Sequence, residues 1–127
     1  MPVTRVEVTP RQGEGMRDVR GDVVRRQLKA DHNVDVAHVR SICGYLIQGE
    51  TSADAIADRV DDLFADPIIE QGATNTILLS TGMFADTPDA VITVGFKPGV
   101  TDNPGKAATD GFLTLFPSDV EAKIATY

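Results

Sequence analysis

The sequence predicts an α+β fold, and three observations carry that prediction. Short β-rich runs alternate with amphipathic helical runs in the order β-α-β-α-β over residues 1–80. A glycine-rich turn follows a β-rich run twice, in Gly13-Glu-Gly-Met-Arg-Asp-Val-Arg-Gly21 and in Lys97-Pro-Gly-Val-Thr-Asp-Asn-Pro-Gly-Lys106. Between these stretches Gly15 pairs with Gly99, Asp18 with Asp102 and Gly21 with Gly105, each 84 positions apart (99 − 15, 102 − 18, 105 − 21) without a gap. Asp35-Val36 and Asp119-Val120 keep the same offset. A period this long belongs to a duplicated domain, since solenoid repeats run to roughly 20–50 residues.

Taken in order, Arg5 to Thr9 alternates Val6 and Val8 with polar neighbours, the period-two pattern of a half-buried strand. Pro10 to Gly15 interrupts it. Asp18 is placed to accept from the free N–H groups of a first helical turn. Val19, Val23, Val24 and Leu28 then recur at helical spacing, with Arg20, Asp22, Arg25 and Lys29 toward water. Asn33, able to adopt a left-handed conformation, ends that helix.

Val34 to Gln48 is dense in apolar residues and reads as one long strand, or two broken near Gly44. Thr51-Ser-Ala-Asp54 has capping-box spacing with Asp in place of Glu. The helix it opens runs through Ala65, burying Ile56, Val60, Leu63 and Phe64 and exposing Asp58, Arg59, Asp61 and Asp62. Asp66-Pro67 stops it, because proline disfavours the α region in the residue before it. Ile68-Ile69 begins a third strand that continues, with an interruption, into Thr76 to Leu79.

Residues 1–80 are thus expected to form a ferredoxin-like two-layer unit, residues 81–89 a linker, and residues 90–127 an incomplete second copy. That copy comprises a strand at Ala90 to Phe96, a helix from Asn103 to Leu115 with Pro104 in its first turn, and a strand within Val120 to Tyr127. A half-repeat leaves an apolar sheet face uncovered. The expectation is therefore a segment of a longer polypeptide or a partner-dependent fragment, with self-association.

Composition excludes several functions. A net charge of −7 across 127 residues speaks against a nucleic-acid binder, which needs clustered Lys and Arg. The cluster Arg25, Arg26 and Lys29 reads as a solvated helix face. No apolar run approaches the roughly 20 residues of a membrane-spanning helix. The N-terminus lacks the apolar core of a secretion signal. One cysteine, Cys43, fits a reducing cytoplasm and packs in an apolar strand.

Chemistry-bearing motifs are sparse. Gly13 to Asp18 misplaces the third glycine of a dinucleotide fingerprint. Gly99 to Lys106 lacks the Ser or Thr that follows the lysine of a phosphate loop and places a proline inside it. Glu14, Asp18 and Asp102 would repel phosphate. His32, His38 and Cys43 show no zinc spacing. Asp54, Asp58, Asp61 and Asp62 follow helical spacing without a calcium-loop pattern. No nucleophile with its base stands out.

The run Val94-Gly-Phe-Lys-Pro-Gly-Val-Thr-Asp-Asn-Pro-Gly-Lys106 resembles a signature found near the start of phosphoribosylformylglycinamidine synthase, in forms whose N-terminal region resembles its separate small subunit. Val6-Glu-Val-Thr9, Arg17-Asp-Val-Arg-Gly21 and Ala65-Asp-Pro-Ile-Ile-Glu70 are similar to weaker strings of that family, and the likeness runs from about Val6 to about Gly111. Gly111 departs from the pattern by weakening the last helix. The resemblance implies a part of a purine-biosynthetic ligase that uses ATP, Mg and ammonia released from glutamine. The ATP-binding and glutaminase residues lie in other domains, so it implies no catalytic, cofactor-binding or metal-binding residue in this chain. It implies a noncatalytic module bridging the synthetase and glutaminase parts. Lys97, Pro98, Asp102, Asn103 and Gly105 match the motif and are the expected domain–domain contact. The alternative is a small ferredoxin-like regulatory domain holding a ligand between paired copies.

Overall fold

The computed structural model of the chain describes residues 1–84 and 87–127. Its centre is strand β1 (Val3–Pro10), flanked by β2 (Cys43–Gln48) and β3 (Glu70–Thr74), both antiparallel to it. A fourth strand, β4 (Lys123–Thr126), pairs antiparallel with the outer side of β2, giving one sheet of order β3-β1-β2-β4. Helix α1 (Val19–His32) joins β1 to β2. Two short helices, α2 (Ala53–Ala57) and α3 (Val60–Leu63), join β2 to β3. Helix α4 (Asn103–Leu115) precedes β4. The molecule is α+β, and residues 1–80 follow the expected order with the second helix split in two, β1-α1-β2-α2-α3-β3.

One face of the sheet carries the core. Val6 and Val8 of β1, Ile47 of β2 and Ile124 of β4 pack against Ile56, Val60 and Phe64 from the α2–α3 segment and Phe112 from α4. Alternation along β1 sends these side chains to one side, and the helical spacing of Ala108, Phe112 and Phe116 brings α4 over them. Phe64 lies against Tyr45 at 4.7 Å between ring centroids, and Phe112 against Phe116 at 4.8 Å. Helix α1 contributes none of this core, and Gly21 is its one buried residue.

The opposite face is polar and closed by the chain's own end. Glu7 is buried there and accepts from the Leu78 N–H at 2.8 Å and from the Tyr127 hydroxyl at 3.0 Å. The Tyr127 ring lies over Gly44, leaving no room for a Cβ. A buried carboxylate needs such donors, because desolvation without them is costly.

Several element expectations are corrected. Ala90 to Phe96 forms no strand: it pairs with nothing in the sheet and leaves Val91, Ile92 and Val94 between 61 and 83% exposed. Strand propensity yields a strand only where a partner supplies the ladder. Of Val34 to Gln48, expected as one long strand or as two broken near Gly44, only Cys43–Gln48 is strand, the span that pairs with β1. The third strand starts at Glu70, after a turn in which Asp66 accepts from Ile68, Ile69 and Glu70. Asp58 ends α2 and Arg59 precedes α3, so the single helix expected through Ala65 is two. The linker expected at 81–89 includes Ala85 and Asp86, which lie outside the described residues.

Candidate functional site

The repeat seen in the sequence is a repeated clamp in three dimensions. Asp18 caps α1 by accepting from the Gly21 N–H at 2.7 Å, and its carboxylate also takes the Ser41 N–H at 2.6 Å and the Ser41 hydroxyl at 2.7 Å. Asp102 caps α4 by accepting from the Gly105 N–H at 2.8 Å, and takes both the N–H and the hydroxyl of Thr126 at 2.7 Å. Each aspartate therefore ties a helix N-terminus to the chain segment that returns after that helix.

The glycines explain the spacing. Gly21 lies so close to the Val39 carbonyl oxygen that a Cβ has no space. A Cβ on Gly105 would sit 2.6 Å from the Ile124 carbonyl oxygen. Val39 and Ile124 each stand two residues before the clamped Ser41 and Thr126. Only glycine permits this approach of each helix to the chain segment that returns beside it.

The Asp102 carboxyl is held below the usual carboxylate range. Its burial is the largest influence and opposes this, but the hydroxyl and N–H of Thr126 and the N–H of Gly105 together outweigh it. The third strong aspartate is Asp119, in the turn between α4 and β4. It accepts from the Thr51 hydroxyl at 2.6 Å and from the N–H groups of Thr51 and Glu50 at 2.9 and 3.0 Å. The Thr51 hydroxyl leads in lowering its carboxyl, ahead of burial, which raises it, and of the two N–H groups. Because Thr51 is engaged by Asp119, Ser52 caps α2 in place of the expected capping box, accepting from Ala55 at 3.2 Å.

Between the two helix N-termini and the ends of β2 and β4 lies a cavity of about 370 Å³, walled by Arg20, Cys43, Tyr45, Phe96, Pro104 and Tyr127. Arg20 donates to the Cys43 sulfur. Burial raises the phenol of Tyr45, with Cys43 and Glu70 adding to it, and burial together with Glu7 raises that of Tyr127. Both neutral phenols and both capped helix ends make this a poor cradle for an anion.

The expected contact residues divide into two groups. Lys97, Pro98 and Asn103 are exposed, and the Lys97 carbonyl closes a turn with the Val100 N–H at 3.0 Å. Gly99 in that turn has φ 83°, a conformation that favours glycine. Asp102 and Gly105 are instead turned inward, holding α4 to β4. His32 and His38 are exposed and Cys43 is half-buried. Among the described residues no three His, Cys, Asp or Glu side chains gather as metal ligands, and no helix is long and apolar enough to cross a membrane.

Sequence reading missed Ser41, Thr126, Glu7 and Asp119. Ser41 and Thr126 stand 85 positions apart (126 − 41), one more than their aspartates, so a gapless alignment hides them. The Asp35–Asp119 match does not extend to environment: Asp35 is exposed, 3.9 Å from Lys29, whereas Asp119 is buried.

Solved structures are similar to part of this chain. The protein is similar to PurS of B. subtilis, with 23% identity, a TM-score of 0.43, and coverage of 57% of this chain and 95% of that one. Methanocaldococcus jannaschii PurS, one of the subunits of formylglycinamide ribonucleotide amidotransferase in the purine biosynthetic pathway, matches with 19% identity and a TM-score of 0.42, over 57% of this chain and 92% of that one. PurLQS from Thermotoga maritima matches with 18% identity and a TM-score of 0.40, over 59% of this chain and 98% of that one. No protein-family model and no curated protein matches the sequence.

Proposed function

We propose that this chain is a noncatalytic assembly module of phosphoribosylformylglycinamidine synthase, acting in the cytoplasm in purine biosynthesis and bridging the synthetase and glutaminase parts of that enzyme. The observation that carries the reading is the disposition of the Val94 to Lys106 motif. Its Asp102 and Gly105 lock the start of α4 onto β4, while Lys97, Pro98 and Asn103 stand exposed on the turn so held. A turn needed only to reverse the chain has no use for an exposed Lys and Asn on a rigid base. A rigid loop loses less entropy on docking than a mobile one, which is the property of a protein contact.

On this reading ATP and Mg belong to the synthetase part, and ammonia passes from the glutaminase part. This chain supplies surface and no reacting group. The test uses the full enzyme carrying Lys97→Ala with Asn103→Ala. Glutamine-dependent turnover is expected to fall by about ten-fold, the loss of roughly 1.4 kcal/mol of contact, while turnover with free ammonia stays unchanged. A ratio of glutamine-dependent to ammonia-dependent turnover unchanged from the parent enzyme's would dispose of the reading.

A further inference from the structure

The assembly role makes no use of the cavity between the two clamps, and that cavity has the make-up of a small-molecule site. Its volume of about 370 Å³ lies within the roughly 300–1,000 Å³ of such sites. Its walls are held in place. Asp18 ties the start of α1 to Ser41, two residues before Cys43, and Asp102 ties the start of α4 to Thr126. Tyr45, Val94, Phe96 and Pro104 make the lining largely apolar. Phe96 is 48% exposed, so its ring retains surface that a planar ligand can cover.

One charged side chain lines the cavity. Arg20 donates one N–H to the Cys43 sulfur, which fixes the guanidinium plane, and its remaining N–H groups have no partner among the described residues. The hydroxyls of Thr126 and Tyr127 are already committed, to Asp102 and Glu7, and add no competing group. No carboxylate of the described residues lines the cavity, but those of Asp18 and Asp102 stand behind both helix ends and oppose a negative ligand. The site therefore selects a planar, uncharged ring system that offers adjacent acceptors to a rigid donor fork. An oxopurine has that edge in O6 and N7, the pair that arginine grips bidentately, whereas adenine puts an amino donor in place of O6. We propose that the cavity binds an oxopurine base as its free base or nucleoside, with Arg20 on the O6 and N7 edge and the purine plane on Phe96. Stacking on an aromatic ring holds the base, and the guanidinium chooses it. The site is independent of the assembly reading above, since it needs neither a synthetase nor a glutaminase.

The experiment is calorimetric titration of the full chain alone with inosine, adenosine and IMP in turn. Inosine is expected to bind saturably at one site, adenosine more weakly by about ten-fold or more, and IMP no more tightly than inosine. Arg20→Lys keeps the charge and removes the fork, so it should bring inosine down to the level of adenosine. Phe96→Ala should weaken both nucleosides alike by about ten-fold. Both positions are exposed, and circular dichroism checks that each variant is folded. The comparison of inosine with adenosine on the parent chain decides the matter even if a variant unfolds. Absence of saturable inosine binding overturns the proposal, and so does equal affinity for the two nucleosides. A preference for inosine that survives Arg20→Lys overturns it too, as does IMP binding ten-fold tighter than inosine, which would make phosphate the group recognised.

Discussion

Asp18 and Asp102 accept the same three hydrogen bonds. Each takes the N–H of the glycine three residues on, and each takes both the N–H and the hydroxyl of a Ser or Thr returning from beyond its helix. The two clamps differ in what they hold. Asp102 secures α4, which carries Phe112 into the core, whereas Asp18 secures a helix that buries only Gly21.

Replacing the two aspartates should therefore have unequal effects. Asp102→Ala is expected to lower the unfolding free energy by about 2–4 kcal/mol, from a lost cap and two lost charge-assisted bonds. Asp18→Ala should cost about 1–2 kcal/mol and act locally, fraying α1 while the core stays closed. Urea denaturation reads the first effect. Amide exchange confined to α1 reads the second.

The glycine that accompanies each clamp is equally constrained. Gly105→Ala places a methyl group 2.6 Å from the Ile124 carbonyl oxygen, so α4 and β4 must separate. Overpacking of this kind is expected to cost about 1–3 kcal/mol, despite the better helix propensity of alanine. Gly111→Ala on the same helix is the control, since its Cβ meets only Leu63 at 3.7 Å. That variant should gain stability, by about 0.5–1 kcal/mol in urea titrations.

Acid should loosen the molecule through Asp102 and Asp119. Both carboxyls are lowered in the folded state from an ordinary value of 3.8, so folding favours their charged forms. Their contribution is fully present above pH values near 4 and is lost as pH falls through the folded-state values. Asp119→Asn removes one titrating group, so its stability should fall less steeply than the parent's as pH drops below 4. Thermal unfolding measured between pH 3 and pH 7 compares the two slopes, and parallel curves would contradict the role assigned to Asp119.

The unpaired run at Ala90 to Phe96 makes a prediction opposite in sense to that of a buried strand. Ile92 is 83% exposed, so Ile92→Lys should change stability by no more than about 0.5 kcal/mol. Burial of Ile92 in a sheet would make the same change cost several kcal/mol. Denaturation of this one variant separates the two cases.

The sequence by itself determined the helices at both clamps and the caps of the first. Asp18, Asn33 and Pro104 signal α1 and α4 through contacts made mostly within a turn of the residue itself, so local order suffices to read them. It also showed the Asp–Gly repeat, and it placed Lys97, Pro98 and Asn103 in a motif without showing that Asp102 and Gly105 face inward. Tertiary structure alone decided which β-rich runs became strands. Lys123–Thr126 found the free side of β2, while Ala90 to Phe96 found no ladder to join. It also decided that Asp119 would bind Thr51 and that Glu7 would be buried under Tyr127. The reason is one of range: a helix closes its bonds four residues away, but a strand or a buried carboxylate depends on partners that only the folded chain brings near.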